Sequence, residues 1–330
     1  MRNIGKLAFF LILGMVLSMS SLVLTISVAA QQPIIIKVAH IYPPESLYSK
    51  TTERLAKNIE AHTNGRVKFQ IYGSASLGDW REVIEALQIG TNNSVIESVG
   101  TLDRYDPLPG IEAFPYMLRD VDHFNKLWFG PIGKDLHEDI MKKTKFRTIG
   151  AIYRGSRNLS CNRAVNTVED LKGLKLRVPP LKMYRLTWEY LGASPVPMAF
   201  TEVFTALQQG TIDGQENPLN IIHDFKFNEV CKYLVMTKHV QGAMTYIFYD
   251  PWFQKLPKDV QEIVTRDIEE ACQWGNTAQL KIEDELKANL VKRGMKLMEP
   301  DLGPFRAKLA NLINEFPELK GYYDRIEAIK

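Results

Sequence analysis

Beyond its first thirty residues, this 330-residue chain has no apolar run long enough to span a membrane. Cysteine is scarce. Cys161, Cys231 and Cys272 allow at most one disulfide, and their spacing does not choose a pair. Basic runs are missing as well. The formal net charge is +3, and it includes Arg2 and Lys6, so the rest of the chain is nearly balanced and offers nothing for nucleic acid. There is no internal repeat and no low-complexity linker.

Catalytic motifs are also missing. "HEDIM" (137–141) has no second histidine four residues on, so it is not a zinc-hydrolase helix. "GPIGKD" (130–135) lacks the spacing of a phosphate-binding loop, and G-x-G-x-x-G, G-x-S-x-G and C-x-x-C are all absent. The six histidines, His40, His62, His123, His137, His223 and His239, are scattered. We therefore expect no enzyme, no cofactor and no metal.

What the chain does have starts with a positive, then apolar, leader. Arg2 and Lys6 precede an uncharged stretch that ends Ser27-Val28-Ala29-Ala30. That order marks a secretory signal peptide over 1–30, with an uncleaved anchor as the alternative. About 300 residues remain, more than one core usually serves, so two domains are expected. A hydrophobic content of 45% and a charged content of 24% suit a folded soluble protein.

The patterns along the chain alternate in type. "IIIKVAHIY" (34–42) reads as a buried strand, 45–65 as a helix ending on Gly65, and "RVKFQIYG" (66–73) as a strand with one wet face. A helix at 78–90, capped by Asp79, precedes a strand at 94–100. Two helical pieces over 120–146 break at Gly130-Pro131. Strands follow at 147–156 and 174–178, with helices at 182–191 and 202–209 and a buried strand at 243–250. From 258 to 293 there is no proline and one glycine, which predicts a very long helix. Strand–helix alternation predicts α/β lobes with parallel strands. Because the chain crosses more than once, we expect a hinged clamp with its ligand between the lobes. The expected division is 31–154 plus 243–282 for one lobe and 155–242 plus 283–330 for the other. "ALQQGTIDGQENP" (206–218) reads as a helix stop and a polar turn.

Some polar residues stand out. Arg177 is the penultimate residue of the strand "LKLRV", which two prolines end, and so stands at a strand end where α/β proteins bind ligands. Its guanidinium fork suits a carboxylate; its plainer reading is a cation pointing to water. Arg154 and Arg157 flank Gly155, at the expected lobe crossing, and could equally be loop charges. Asn217 could bond its own turn, and Phe200 could be plain core. Glu97, inside the apolar "SVIESVG", needs a partner or a site.

The segments "NTVEDLKGLKLRVPP", "LGASPVPMAFTEVFTALQQGTIDGQENPL" and "HDFKFNEVCKYLVMTKH" closely resemble solute-binding proteins of TRAP (tripartite ATP-independent periplasmic) transporters, as do "YGSASLGD" and "FPYML". The resemblance covers nearly the whole chain after the leader and points to the sialic-acid and C4-dicarboxylate branches. It implies a two-lobed α/β periplasmic-binding-protein clamp with a long helix spanning both lobes, expected as a monomer. It also implies capture of an organic acid and its delivery to membrane permease subunits. By the same resemblance Arg177 pairs with the carboxylate, Arg157 is the second arginine, and Asn217, Phe200, Glu97 and Asp79 fall on ligand-contacting positions. The chain departs from sialic-acid binders at Pro180, at Arg154, and at "AHIYPP", where His40 and Tyr42 stand in place of an asparagine. These departures open the choice of ligand to a sugar acid, a keto or aromatic acid, or a dicarboxylate. A sensing module for a membrane receptor, or a periplasmic enzyme on the same scaffold, are the rival readings.

Overall fold

The computed structural model describes residues 32–330, so the expected signal peptide lies outside the described residues. Nine strands form one mixed sheet: β1 (Ile34–Ala39), β2 (Val67–Tyr72), β3 (Ser94–Ser98), β4 (Phe146–Cys161), β5 (Lys175–Val178), β6 (Ser194–Pro197), β7 (Gly214–Pro218), β8 (Tyr233–Tyr249) and β9 (Lys296–Met298). Their order is β2-β1-β3-β8-β4-β7-β5-β6, with β9 beside β8. The β2-β1-β3 and β7-β5-β6 pairings are parallel, each covered by crossover helices. Between these two parallel halves run β8 and β4, antiparallel to each other and to β3 and β7, while the short β9 pairs parallel with β8.

β4 and β8 have 16 and 17 residues, far longer than the expected 147–156 and 243–250. Both pass from one half of the sheet to the other. Their pairing shifts register between Ile149 and Ile152, between Tyr153 and Ser156, and between Arg157 and Leu159. Gly155 sits at the middle shift with φ +77°, a left-handed conformation that a side chain would strain.

The long helix is confirmed as Lys258–Lys292, 35 residues. It packs on β4, on the first helix (Leu47–His62) and on the short helix Leu219–Asp224, which belong to opposite halves of the sheet. Its buried stripe, Val260, Val264, Ile268, Ala271 and Cys272, follows helical spacing. Among the described residues, no helix is long and apolar enough to cross a membrane. The three cysteines are buried and free.

One reading is corrected. Residues 214–218 are not a polar turn but β7, and all five are buried. Gly214 is required there because a Cβ would stand 2.7 Å from Cys161 Cβ and 2.8 Å from Ser160 O. Gly210, by contrast, is a left-handed stop at φ +70°, as the sequence suggests.

Candidate functional site

Between the two halves of the sheet lies a narrow cavity with about 40 Å³ of space that water can enter. Arg154, Arg157, Arg177, Asn217, Phe200, Glu97 and Tyr42 all line it. These come from β3, β4, β5 and β7, with Tyr42 in the loop after β1 and Phe200 just before a helix, so the fold gathers residues from 42 to 217. Trp80, Thr101 and Tyr184 also line it.

Arg177 is fully buried. Its Nε and Nη2 donate to Met198 O at 3.0 and 2.8 Å, which fixes the plane of the guanidinium. Its guanidinium lies 5.5 Å from the Phe200 ring centre. Nη1 is buried with no partner among the described residues. Burial, with Arg157 nearby, pulls its pKa down to about 10, against the pull of Glu216. It is still charged at neutral pH, so it is a cation in want of an anion.

Arg157 has its anion already. Nε and Nη2 donate to Glu216 Oε2 and Oε1 at 2.5 and 2.7 Å, and Nη2 also reaches Glu216 O at 2.7 Å. His239 Nε2 bonds the same carboxylate at 2.9 Å. Burial alone would raise the Glu216 pKa, but Arg157 and His239 overcome it and hold it at about 2. The Arg157 guanidinium also lies 4.9 Å from the Tyr184 ring centre.

Asn217 is braced. Its Nδ2 donates to Gln215 Oε1 at 2.6 Å, and Gln215 Nε2 donates to Ser160 Oγ at 2.6 Å. Asp213 accepts from Lys175 N at 2.9 Å and so ties β7 to β5. On the opposite side, Glu97 Oε1 accepts from Ser98 N at 2.9 Å, and Tyr42 Oη stands 3.4 Å from Oε2. Burial raises the Glu97 pKa, and Arg154 works against that rise.

Two expected site residues do not line the cavity. His40 stacks on Tyr42, their ring centres 6.0 Å apart, and is not among the cavity's lining residues. It is buried with neither ring nitrogen partnered, and burial lowers its pKa to about 4, so it is neutral. Asp79 caps the helix Trp80–Ile89 in a capping box with Glu82. Its Oδ1 accepts from Trp80 N at 2.6 Å and its Oδ2 from Phe200 N at 2.8 Å. It therefore ties one half of the molecule to the other, and Arg81 adds a bond to Pro180 O at 2.9 Å.

Glu216, Tyr184, Trp80 and Thr101 did not stand out in the sequence. Glu216 sat in plain view inside "DGQENP", but its partner Arg157 is 59 residues away. Tyr184 and Trp80 look like ordinary helical aromatics.

The chain matches bacterial extracellular solute-binding protein family 7, DctP, over residues 38–319. It belongs to that family. DctP-family relatives include the sialic acid-binding periplasmic protein SiaP of Vibrio cholerae, 33% identical over 82% of this chain and 84% of its own length. The C4-dicarboxylate-binding periplasmic protein DctP of Rhodobacter capsulatus is 31% identical over 80% of each. Among solved structures, a TRAP periplasmic solute-binding protein from Roseobacter denitrificans with bound L-galactonate superposes with a TM-score of 0.86. It is 31% identical, covering 90% of this chain and 99% of that one. Another, from Ochrobacterium anthropi with bound L-fuconate, gives 0.84 at 30% identity, covering 90% and 99%. DctP-family proteins of TRAP transporters capture small organic acids for membrane permease subunits, and this chain is one of them. The family binds solutes and does not transform them, and neither rival reading is favoured. Its fold is the two-lobed α/β clamp expected above.

Proposed function

We propose that this chain captures a sugar acid, with Arg177 as the carboxylate anchor. The observation that carries the reading is the buried Arg177 guanidinium, oriented by Met198 O and left with Nη1 unpartnered at the cavity wall. Of the two arginines that the family resemblance sets at the carboxylate, Arg157 already has its counter-charge in Glu216 and Arg177 has none. Asn217 and Arg157 complete the carboxylate's bonds, and Phe200 covers it. Glu97, Tyr42 and Arg154 meet the rest of the ligand. The sugar-acid class is supported by structural neighbours with bound L-galactonate and L-fuconate.

The lobes divide at 154/155, 242/243 and 282/283, and the ligand favours closure because a closed, dry cleft would otherwise isolate a cation. Asp79 acts as a latch between the lobes and not as a ligand contact. Residues 1–30 are a cleaved export signal, which places the mature chain in the periplasm.

The test is calorimetric titration with sugar acids chosen by thermal-shift screening. Arg177→Ala should weaken binding by about 2–5 kcal/mol, as expected when one partner of a buried charge pair is truncated. Binding of the best acid by Arg177→Ala as tightly as by wild type would rule out the anchor.

A further inference from the structure

The end of the cavity remote from Arg177 has its own unmet chemistry. Glu97 is on β3 and Arg177 on β5, with β8, β4 and β7 between them in the sheet. Four strand spacings separate them, about 19 Å across the sheet. Arg154, on β4, lies toward Glu97 and Tyr42. Its Nε is buried and unpartnered. Tyr48 and Asn220 lie beside it behind the cavity wall, where the Tyr48 hydroxyl can accept from Arg154 or from Asn220. No hydrogen bond or ion pair engages the Arg154 guanidinium among the described residues, and one hydroxyl cannot take all five of its N–H groups, so the side that lines the cavity is free for an acceptor oxygen.

The acceptor that protein atoms could supply is already engaged elsewhere. Glu97, the carboxylate lining the cavity, uses Oε1 on Ser98 N, while Oε2 has only the long approach of Tyr42 Oη at 3.4 Å. Among the described residues, no ion pair joins Glu97 to Arg154. A guanidinium and a carboxylate that face one cavity without touching leave room for a group that accepts from one and donates to the other. A hydroxyl does both. A second carboxylate would accept from Arg154 but would face Glu97, where like charges repel. A methyl group would leave both sides unpaired in a dry site.

Building on the sugar-acid reading above, we propose that Arg154 is a specificity determinant. It reads a hydroxyl on the terminal carbon, at the end of the ligand remote from the carboxylate. The chain therefore selects a monocarboxylic aldonate over its 6-deoxy counterpart and over the corresponding dicarboxylic aldarate.

L-Galactonate, L-fuconate (its 6-deoxy form) and galactarate (its terminal carboxylate form) test this directly. Calorimetry on the wild-type protein should show L-galactonate bound at least about tenfold more tightly than L-fuconate, the ratio for one buried charge-assisted hydrogen bond. Galactarate should also bind more weakly than L-galactonate. In Arg154→Met the galactonate-to-fuconate ratio should fall to about one. Equal ratios in wild type and Arg154→Met would overturn the proposal, as would tighter binding of galactarate. The wild-type ratio needs no variant, so it decides the question even where Arg154→Met folds poorly; Arg154→Lys, checked by circular dichroism, supplies the second variant. If wild type binds a C4 dicarboxylate such as succinate but none of the three six-carbon acids, the sugar-acid reading falls, and this inference falls with it. If the six-carbon acids bind without the terminal-hydroxyl preference, this inference alone falls.

Discussion

Glu216→Gln isolates the charge that holds the floor of the cleft. The substitution keeps the shape of the side chain and removes its charge, leaving the buried Arg157 guanidinium without its ion-pair partner. Two independent routes give its size. The Glu216 carboxyl is held at about 2 against an ordinary value of 4.5. A depression of that size is linked to about 3 kcal/mol of folding stability. Breaking a buried ion pair from one side costs about 3–5 kcal/mol, and the retained amide bonds favour the lower end. For roughly 300 ordered residues, about 3 kcal/mol lowers the melting temperature by about 5 °C. The sign with pH follows from the depressed value. The stabilisation is nearly complete above about pH 5 and is lost as pH falls toward 2, so about two-fifths remains at pH 3. Thermal melts of wild type and Glu216→Gln at pH 7 and pH 3 should therefore show a gap that narrows with acid. Melting within 1 °C of wild type at pH 7, or an equally wide gap at pH 3, would refute the reasoning.

Other outcomes follow from single contacts. Arg177→Lys should also weaken sugar-acid binding by calorimetry, because an ammonium cannot hold Met198 O and a carboxylate in the fork geometry. Asp79→Ala should lose about 1 kcal/mol of stability from the helix cap, and its ligand should dissociate several-fold faster in stopped-flow because Phe200 N loses its acceptor. An unchanged off-rate would show that the bond to Phe200 does not latch the lobes. Gly150→Ala should cost about 2–4 kcal/mol in denaturant unfolding, since Gly150 has φ +71° and a Cβ there would sit 2.5 Å from Cys272 Sγ. Adding Cys272→Ala should recover part of that loss.

The regular elements could be read from the sequence where burial is one-sided. The helix Trp80–Ile89 showed its cap, its apolar face and its glycine stop. The 35-residue helix declared itself by length alone. β7 did not, because its side chains are polar on both faces and their partners come from β4 and β8. A strand whose buried residues are Gln215, Glu216 and Asn217 has no hydrophobic period to detect. The same cause hid Glu216 among the site residues, while Arg177 stood out through its place at a strand end. Asp79 and His40 came from the resemblance, which finds a position but not its present partners. Here Asp79 spends its oxygens on two backbone amides, and His40 is stacked on Tyr42.

The threading of β4, β8 and the long helix through both halves also restrains how this protein can diversify. On the proposed boundaries, exchanging one lobe between two relatives takes junctions at 154/155, 242/243 and 282/283 together. A single recombination event would mix parts of both lobes and cut through the register shifts of the β4–β8 ladder. Ligand preference in such a molecule changes most readily one side chain at a time, at cavity-lining positions such as 154, while the two lobes are inherited together.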